Sequence, residues 1–215
     1  MSLAHHPSEA RLFDYAAGSL DSAAQMVLGA HVHACADCAT AVAAAEAVGG
    51  VLLEDLAPTP MAADAIALAL ARIERPPSPG PARAGARPER PQDWIGVPAQ
   101  VVAALRKRRR IAPGVWVAPV ARGGGGVRSY LLGIPAGVSL PHHTHRSWEM
   151  TVVLKGAFRD GGETYSAGDF CETDSTVRHH PRVTQDGDCV CLAATQGPLV
   201  GLDLVGRVLI PLLGL

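Results

Sequence analysis

The stretch GVSLPHHTHRSWEMTVVLKG, residues 137–156, decides how the second half of this chain folds. His143 and His145 are two residues apart, so on a strand both side chains point to the same side. Glu149 opens the apolar run that follows, and its carboxylate can turn toward the same centre. The spacing therefore predicts a metal site that two histidines and one carboxylate share, in a part of the chain made of strands.

The same stretch resembles the first motif of the cupin family at every specified position, from Gly137 to Gly156. The two glycines serve the turns that bring the segments together. YSAGDF resembles the turn of the second cupin motif, with Ser166 in place of proline, and STVRHHP follows it. In the cupin pattern the last ligand precedes a short polar-proline step, so the resemblance implies His179 rather than His180.

Three histidines and one carboxylate suit zinc, manganese, iron or nickel, and the residues alone do not choose among these metals. His142 is expected to lie outside the ligand set. Cys189 and Cys191 alternate along a predicted strand and share a face. They are either two small buried apolar residues or thiols near the metal that an oxidant reaches, and Cys171 is a weaker case of the same kind.

A second cluster of metal-binding residue types lies in HVHACADC, which spans residues 31–38. His31 and Cys35 are four positions apart and are expected to share one helix face, with Cys38 one turn further on. This arrangement directs three soft or borderline ligands to one point. A redox pair, or two packed cysteines, is the competing interpretation of the CxxC element.

Zinc takes four ligands in a tetrahedron, from cysteine sulfur and histidine nitrogen. The fourth ligand must therefore come from another part of the chain. His5 and His6, just before the first predicted helix, are the nearest candidates. His33 lies about a third of a turn off the ligand face and is expected to point away.

The composition allows a sizeable core and excludes several classes of protein. Of the 215 residues 48% are apolar, and the net charge of −1 is unlike that of a nucleic-acid binder. Four of the five cysteines form CxxC and CxC, which fits a reducing cytoplasm better than a disulfide scaffold. The opening MSLAHHPSEARL lacks the pattern of a signal peptide, and no run of about 18 uncharged apolar residues predicts a membrane span.

The periodicity changes along the chain and predicts three parts. Residues 1–75 read as helices with apolar 3.6-residue spacing. Residues 76–92 contain PPSPGPARAGARPERP, whose six prolines and two glycines predict a flexible linker. Residues 93–215 carry short β-branched runs between glycine-bearing turns, after a short helix at 101–105. The predicted helices run from Ser8 to Ala17, from Asp21 or Ser22 through His31, from Asp37 to about Leu56 past a weak point at Gly49-Gly50, and from about Ala62 to Glu74.

The predicted fold class is α+β multidomain: an N-terminal zinc-bound helical bundle joined by the Pro-rich linker to a C-terminal all-β cupin barrel.

The basic run RKRRR, residues 106–110, is isolated and has no aromatic neighbours. We expect it to be a solvated face, so a DNA-binding regulator ranks last among the functions considered. The apolar helix at 62–74 either docks on a partner or completes the bundle.

The N-terminal part resembles the zinc-containing anti-sigma domain, through HxxxCxxC and the opening HHPSEARLFDYAAGSL. The resemblance implies a helical bundle that grips an extracytoplasmic-function (ECF) sigma factor and hides its polymerase-binding surfaces. It also implies His6 as the fourth ligand. The implied N-terminal zinc site is therefore His6, His31, Cys35 and Cys38, and the implied cupin site is His143, His145, Glu149 and His179.

The combination of both parts resembles the ChrR-type anti-sigma factors over nearly the whole chain, the linker being the least matched part. The resemblance implies a cytoplasmic, non-enzymatic repressor in a 1:1 complex with an ECF sigma factor, without direct contact to nucleic acid or membrane. It implies zinc in both sites and a cupin domain needed for release in response to singlet oxygen or related oxidants. The alternative is a metal-dependent cupin enzyme, dioxygenase- or isomerase-like, with a regulatory helical domain.

Overall fold

The computed structural model describes residues 3–75, 94, 97–203 and 206–207. The predicted linker at 76–92 lies outside these residues, as does most of the chain beyond 203. The described helices are α1 (Glu9–Ala16), α2 (Ser22–Ala34), α3 (Ala36–Glu54), α4 (Ala65–Glu74) and α5 (Ala99–Ala104). The described strands are β1 (Arg109–Ala112), β2 (Val115–Arg122), β3 (Val127–Ile134), β4 (His143–His145), β5 (Trp148–Lys155), β6 (Ala157–Asp160), β7 (Glu163–Ser166), β8 (Phe170–Asp174), β9 (Arg182–Val183), β10 (Cys189–Gln196) and β11 (Leu199–Gly201).

The four N-terminal helices are confirmed, and their boundaries follow local capping. The Asp21 side chain accepts a hydrogen bond from the Ala23 N–H and begins α2. α3 continues through Gly49-Gly50, so the predicted weak point does not break the helix. α4 begins at Ala65, three residues later than predicted, and no residue of it is buried.

The C-terminal part is a cupin-like arrangement of antiparallel strands, but the described strands do not close into the predicted barrel. They form a six-stranded sheet in the order β1-β2-β3-β10-β5-β8, a three-stranded sheet β7-β6-β9 and a two-stranded sheet β11-β4. β4 and β9 have only three and two residues. Such short strands cannot continue the hydrogen-bond ladder from one edge of the large sheet to the other.

The six-stranded sheet has one face toward the helices and one toward the small sheet. On β5, Met150 and Val152 belong to the buried cluster that includes Val27 and Leu28 of α2. Val153 belongs to a second cluster on the other face, which also contains residues of β6 and β9. This is the alternation that a strand requires when both of its faces are buried. The helices and the large sheet consequently share one core.

A large apolar surface remains exposed at the end of α3, along α4 and between them. We call it the α3–α4 apolar surface. Monomeric soluble proteins rarely leave large apolar side chains exposed in such number on adjacent segments, and surfaces of this kind mark interaction sites. Its members are Val48, Val51, Leu52, Leu53, Leu56, Met61, Ile66, Leu68, Leu70 and Ile73.

α3 is also long and apolar enough to cross a membrane, judged by its length and composition alone. Among the described residues no other helix passes that test. α3 contains Asp37, Glu46 and Glu54, so its apolar run is interrupted by charge. Its other end carries part of the first metal cluster.

Candidate metal centres

The N-terminal cluster brings together the four residues that the sequence and its resemblance had selected. One potential ligand atom from each of His6, His31, Cys35 and Cys38 lies within 4.8 Å of all the others. His6 Nδ1 is 3.4 Å from Cys35 Sγ and 3.3 Å from Cys38 Sγ. His31 Nε2 is 3.3 Å from Cys38 Sγ. Tetrahedral zinc with ordinary bond lengths separates nitrogen from sulfur by about 3.6 Å, so the cluster is close to that size.

A break between two helices produces this convergence, and the single helix face expected for His31 and Cys35 is not what forms. α2 ends at Ala34, and Cys35 has extended backbone angles of φ −111° and ψ 109°. The Cys35 sulfur then accepts a hydrogen bond from the Cys38 N–H at 3.5 Å, at the start of α3. Cys35 is therefore the corner residue, which lets the two cysteines and His31 face one point.

His31 is oriented by a group on the C-terminal part of the chain. Its Nδ1–H donates to the carbonyl oxygen of Gly168 at 2.7 Å. This bond leaves the lone pair on Nε2, which faces Cys38. Burial lowers the pKa of His31, so the imidazole is neutral and available as a ligand at neutral pH.

The donor set of this cluster fits a zinc ion. Burial, followed by the hydrogen bond with Cys35, raises the pKa of Cys38 to about 12, so a thiolate there requires a neighbouring cation. Two cysteines and two histidines are a usual set for structural zinc. The His5 ring lies elsewhere, against Asp169 and Tyr165, and His33 is exposed, as expected.

The second cluster lies inside the cupin-like part and contains His143, His145 and His179. All three are buried, and one ring nitrogen of each lies within 4.8 Å of the others. His145 Nε2 and His179 Nε2 are 3.0 Å apart. His143 and His145 come from β4, while the His179 backbone pairs with that of His143 in an isolated bridge. The alternation predicted for HTH therefore holds.

Glu149 lies at the edge of this cluster and is shared with a tyrosine. Its Oε2 is 3.5 Å from His145 Nε2, and its Oε1 accepts a hydrogen bond from the Tyr130 hydroxyl at 2.9 Å. Burial raises the pKa of Glu149 despite the nearby histidines. Burial, then the Glu149 charge, also raises the pKa of Tyr130 well above its usual value, so Tyr130 remains a donor. The hydroxyl holds one carboxylate oxygen and leaves the other toward the histidines.

Two hydrogen-bond acceptors set the tautomers of the cupin histidines. His179 Nδ1–H donates to Asp160 Oδ2 at 2.7 Å, and His143 Nδ1–H donates to the Pro141 carbonyl at 2.8 Å. Both bonds direct a lone pair on Nε2 into the cluster. Asp160 and Tyr130 belong to no sequence motif and reach the site from two separate strands, β6 and β3, so neither was predicted.

The buried histidine cluster also fits a metal ion. Burial lowers the pKa of both His143 and His145 to about 4, so both rings are neutral at physiological pH. His145 Nδ1 is buried and has no hydrogen-bond partner among the described residues. Nitrogen atoms on tetrahedral zinc are about 3.3 Å apart, close to the 3.0 Å between His145 and His179. A cation held by the Nε2 atoms would stabilise this group of unprotonated rings.

The neighbouring histidines stay outside the cluster. His142 and His180 are exposed, and their ring centroids are 4.1 Å apart on the surface. The placement of His142 agrees with the sequence-based expectation. Of the pair His179 and His180, the structure brings the first into the cluster.

A small enclosed cavity adjoins the cupin histidines. Its volume is about 60 Å³, and Cys171 and Cys191 are among its lining residues, with Phe158 and Leu140 on the apolar side. Cys189 Sγ lies 3.7 Å from Cys191 Sγ. Burial, with the Glu149 charge as the second cause, raises the pKa of Cys171 to about 12. The hydrogen bond with Cys189, followed by burial, also raises the pKa of Cys191, so Cys171 and Cys191 face the cavity in their protonated form.

Comparisons with known proteins agree with both halves of this description. A family model described as "ChrR Cupin-like domain" matches residues 103–199. The anti-sigma-E factor ChrR of Cereibacter sphaeroides is 38% identical over 203 residues, which cover 93% of this chain and 92% of that protein. The crystal structure of Rhodobacter sphaeroides SigE in complex with the anti-sigma ChrR matches with a TM-score of 0.73 and 33% identity, over 90% of this chain and 99% of that one.

Proposed function

Because this chain belongs to the ChrR family of anti-sigma factors, we propose that it binds and inhibits an ECF sigma factor as a 1:1 complex. The proposed division of labour follows residues 1–75, 76–92 and 93–215. Residues 1–75 bind the sigma factor, and residues 76–92 connect them to the cupin-like part. Residues 93–215 hold a metal and are needed for release of the sigma factor. The related SigE complex with ChrR is the precedent for this partner class.

The observation that carries this proposal is the α3–α4 apolar surface. α4 has no buried residue, and Ile73 on it is 80% exposed. A helix with apolar residues on every side is stable only when it is covered. An amphipathic groove or helix pair of a sigma factor would supply that cover and remove these side chains from water. A protein partner of this kind also accounts for the apolar composition of α3 without a membrane.

The test is co-expression of the full chain with the sigma factor encoded nearest to it. The full chain is needed because the helices share their core with the sheet. A stable complex with one copy of each protein, measured by size-exclusion chromatography with light scattering, is expected. Absence of a complex between two folded, metal-loaded proteins would contradict the proposal and favour the enzyme alternative.

Zinc is the proposed occupant of the N-terminal cluster, held by His6, His31, Cys35 and Cys38. When bound, it would supply a structural cross-link between the N-terminal arm, α2 and α3. The helices bury few large side chains, Leu12, Val27, Leu28 and Val42 among them. Helices that bury so few large side chains depend on the sheet against which they pack and on such a cross-link.

In the cupin-like part we propose His143, His145, Glu149 and His179 as ligands, with zinc as the metal and manganese, iron or nickel as alternatives. Replacing His179 with alanine is expected to remove the metal, because the lone pair held in place by Asp160 is lost. Replacing the exposed neighbour His180 with alanine is the matched control and should leave the metal bound. Metal content per chain, measured by atomic emission, would contradict this ligand set if the two variants behaved alike.

Release by oxidants is the proposed role of the cupin-like part. In the purified complex, singlet oxygen generated by a photosensitiser is expected to free sigma from the wild-type chain. A chain with Glu149 replaced by glutamine should retain sigma at the same dose, because that replacement weakens the metal centre without changing its volume. Equal release of sigma from both complexes, measured by gel filtration, would show that the cupin metal centre is not needed for the response to singlet oxygen.

The enzyme alternative needs a pocket for an organic substrate beside the cupin histidines, usually of several hundred cubic ångströms. The inner cavity is about 60 Å³ and admits a molecule of a few atoms, such as a small oxidant. An open groove of about 480 Å³, which His179, Asp160 and Cys171 also line, has the volume that the enzyme alternative requires. A sigma-factor partner and the CxxC and CxC pattern of the cysteines support a cytoplasmic location.

A further inference from the structure

β8 lies between the two metal clusters and presents alternate residues to each side. Phe170 and Glu172 face the helices: Phe170 belongs to the shared core, and Glu172 accepts a hydrogen bond from Arg11 Nε of α1 at 2.6 Å. Cys171 faces the opposite way and lines the cavity beside the cupin histidines. Adjacent residues of one strand thus contact the two sites, because side chains alternate along a strand.

The turn that precedes β8 holds the N-terminal cluster in place. The carbonyl of Gly168 accepts the hydrogen bond from His31, and the ring of Phe170 packs edge-on against the His31 ring, with centroids 5.6 Å apart. Gly168 has φ +99°, and a Cβ there would lie 2.6 Å from the Leu3 side chain. A larger residue would therefore strain the turn and displace the arm.

The same turn also holds the N-terminal arm that carries His6. The buried Asp169 carboxylate accepts hydrogen bonds from the Ala4 N–H at 2.9 Å and the His5 N–H at 3.2 Å. The Phe170 N–H donates to the His5 carbonyl at 3.1 Å. Three backbone contacts thus fix the residues immediately before His6.

We propose that residues 166–170, the turn between β7 and β8, couple the N-terminal metal site to the cupin cavity: a change at the cavity wall shifts this turn, and the turn positions His31 and the arm bearing His6. This inference rests on the ligand sets of the proposed function. It adds Asp169 and Phe170 as positioning residues for a metal site on another part of the chain.

Packing explains why displacement would pass through this turn. Phe170 is only 2% exposed, so a shift of β8 cannot be absorbed by solvent. The turn is also tied to β5, because the Gly168 N–H donates to the Val153 carbonyl and the Val153 N–H donates to that of Asp169. Outer partners of metal-binding histidines typically change metal affinity by about 10- to 100-fold when altered.

Cobalt(II) is a suitable probe because only the N-terminal cluster contains cysteine among its proposed ligands. Thiolate bound to cobalt absorbs in the near ultraviolet, whereas histidine and carboxylate ligands do not produce that band. The experiment loads the full chain with cobalt, adds excess EDTA and follows the decay of the band. Six chains are compared: wild type, Phe170→Leu, Asp169→Asn, Glu149→Gln, the double variant of Phe170→Leu with Glu149→Gln, and a control. The control is Val127→Ala, because Val127 is buried on β3 and is not among the residues that line the cavity.

Coupling predicts that Glu149→Gln changes the rate of cobalt loss from the N-terminal site, by about threefold or more, although it lies in the other site. Phe170→Leu is expected to accelerate loss by roughly tenfold and to reduce the effect of Glu149→Gln in the double variant. Val127→Ala, outside the cavity wall, should leave the rate near that of the wild type. Asp169→Asn, which replaces an acceptor oxygen with a donor group, should accelerate loss as well.

The inference is overturned if Glu149→Gln leaves the rate unchanged, or if its effect persists in full in the double variant. A missing thiolate band would instead contradict the proposed N-terminal ligand set, and the inference with it. Sigma binding is not part of this measurement. A chain that fails to bind sigma but shows the coupled rates would contradict the proposed function alone.

Discussion

Replacing Cys38 with serine is expected to remove zinc from the N-terminal cluster and to weaken sigma binding by at least about 100-fold. Cys38 Sγ contacts both His6 and His31, so its replacement removes the sulfur that joins the two histidines. Structural zinc in small domains contributes on the order of 10 kcal/mol to folding. A serine hydroxyl is a poor ligand, and the break between α2 and α3 would lose its cross-link.

The measurement is zinc content per chain together with the dissociation constant for sigma by titration calorimetry. His33→Ala is the control, because His33 is exposed and lies between the ligands in sequence but outside the cluster. Zinc in the N-terminal site and sigma binding should both survive it. Tight sigma binding by a zinc-free Cys38→Ser chain would refute a structural role for the metal.

Replacing Leu68 with aspartate is expected to reduce sigma affinity by roughly 30- to 1,000-fold. Central residues of protein interfaces typically contribute about 2–4 kcal/mol, and an unpaired carboxylate within an apolar interface adds a desolvation cost. Leu68 lies on α4 and is 56% exposed, so the free chain has little packing to lose. The free energy of unfolding of the Leu68→Asp chain should differ from that of the wild type by no more than about 0.5 kcal/mol.

Val177→Asp is the control for this prediction. Val177 is also an exposed apolar residue, 36% exposed, but it lies in the cupin-like part beyond β8. Val177→Asp should bind sigma as tightly as the wild type, whereas Leu68→Asp should show the whole expected loss of affinity. The urea unfolding curves of both variants should match that of the wild type. Equal affinities of the Leu68→Asp and Val177→Asp chains for sigma would contradict a sigma interface on α4.

Local spacing was sufficient for much of the candidate chemistry. HxxxCxxC selected three members of the first cluster, and HxH with a later glutamate selected most of the second. The helix cap at Asp21 and the turns at Gly137 and Gly156 could also be predicted from the sequence, and the structure shows the cap and a positive φ at both glycines. Each of these features depends on neighbours within a few residues, so the sequence carries it directly.

Other features depended on contacts between distant segments. Asp160 and Tyr130 were missed because their partners, His179 and Glu149, are 19 residues away in each case. The predicted barrel is not closed among the described strands, because the strands form three separate sheets and β4 and β9 are only three and two residues long. The turn at 166–170 carried only the weak signature of a cupin motif.

The sequence by itself therefore determined the helical and strand halves, the two sets of metal-binding residue types and the family resemblance, since all of these follow from periodicity and short spacing. Only the tertiary structure decided that both halves share one core and that Gly168 orients His31 across 137 residues. The physical reason is that a hydrogen bond or a buried contact between remote segments leaves no periodic trace in either segment. The hydrogen bond between His31 and Gly168 forms only when the turn before β8 and the N-terminal segments pack together.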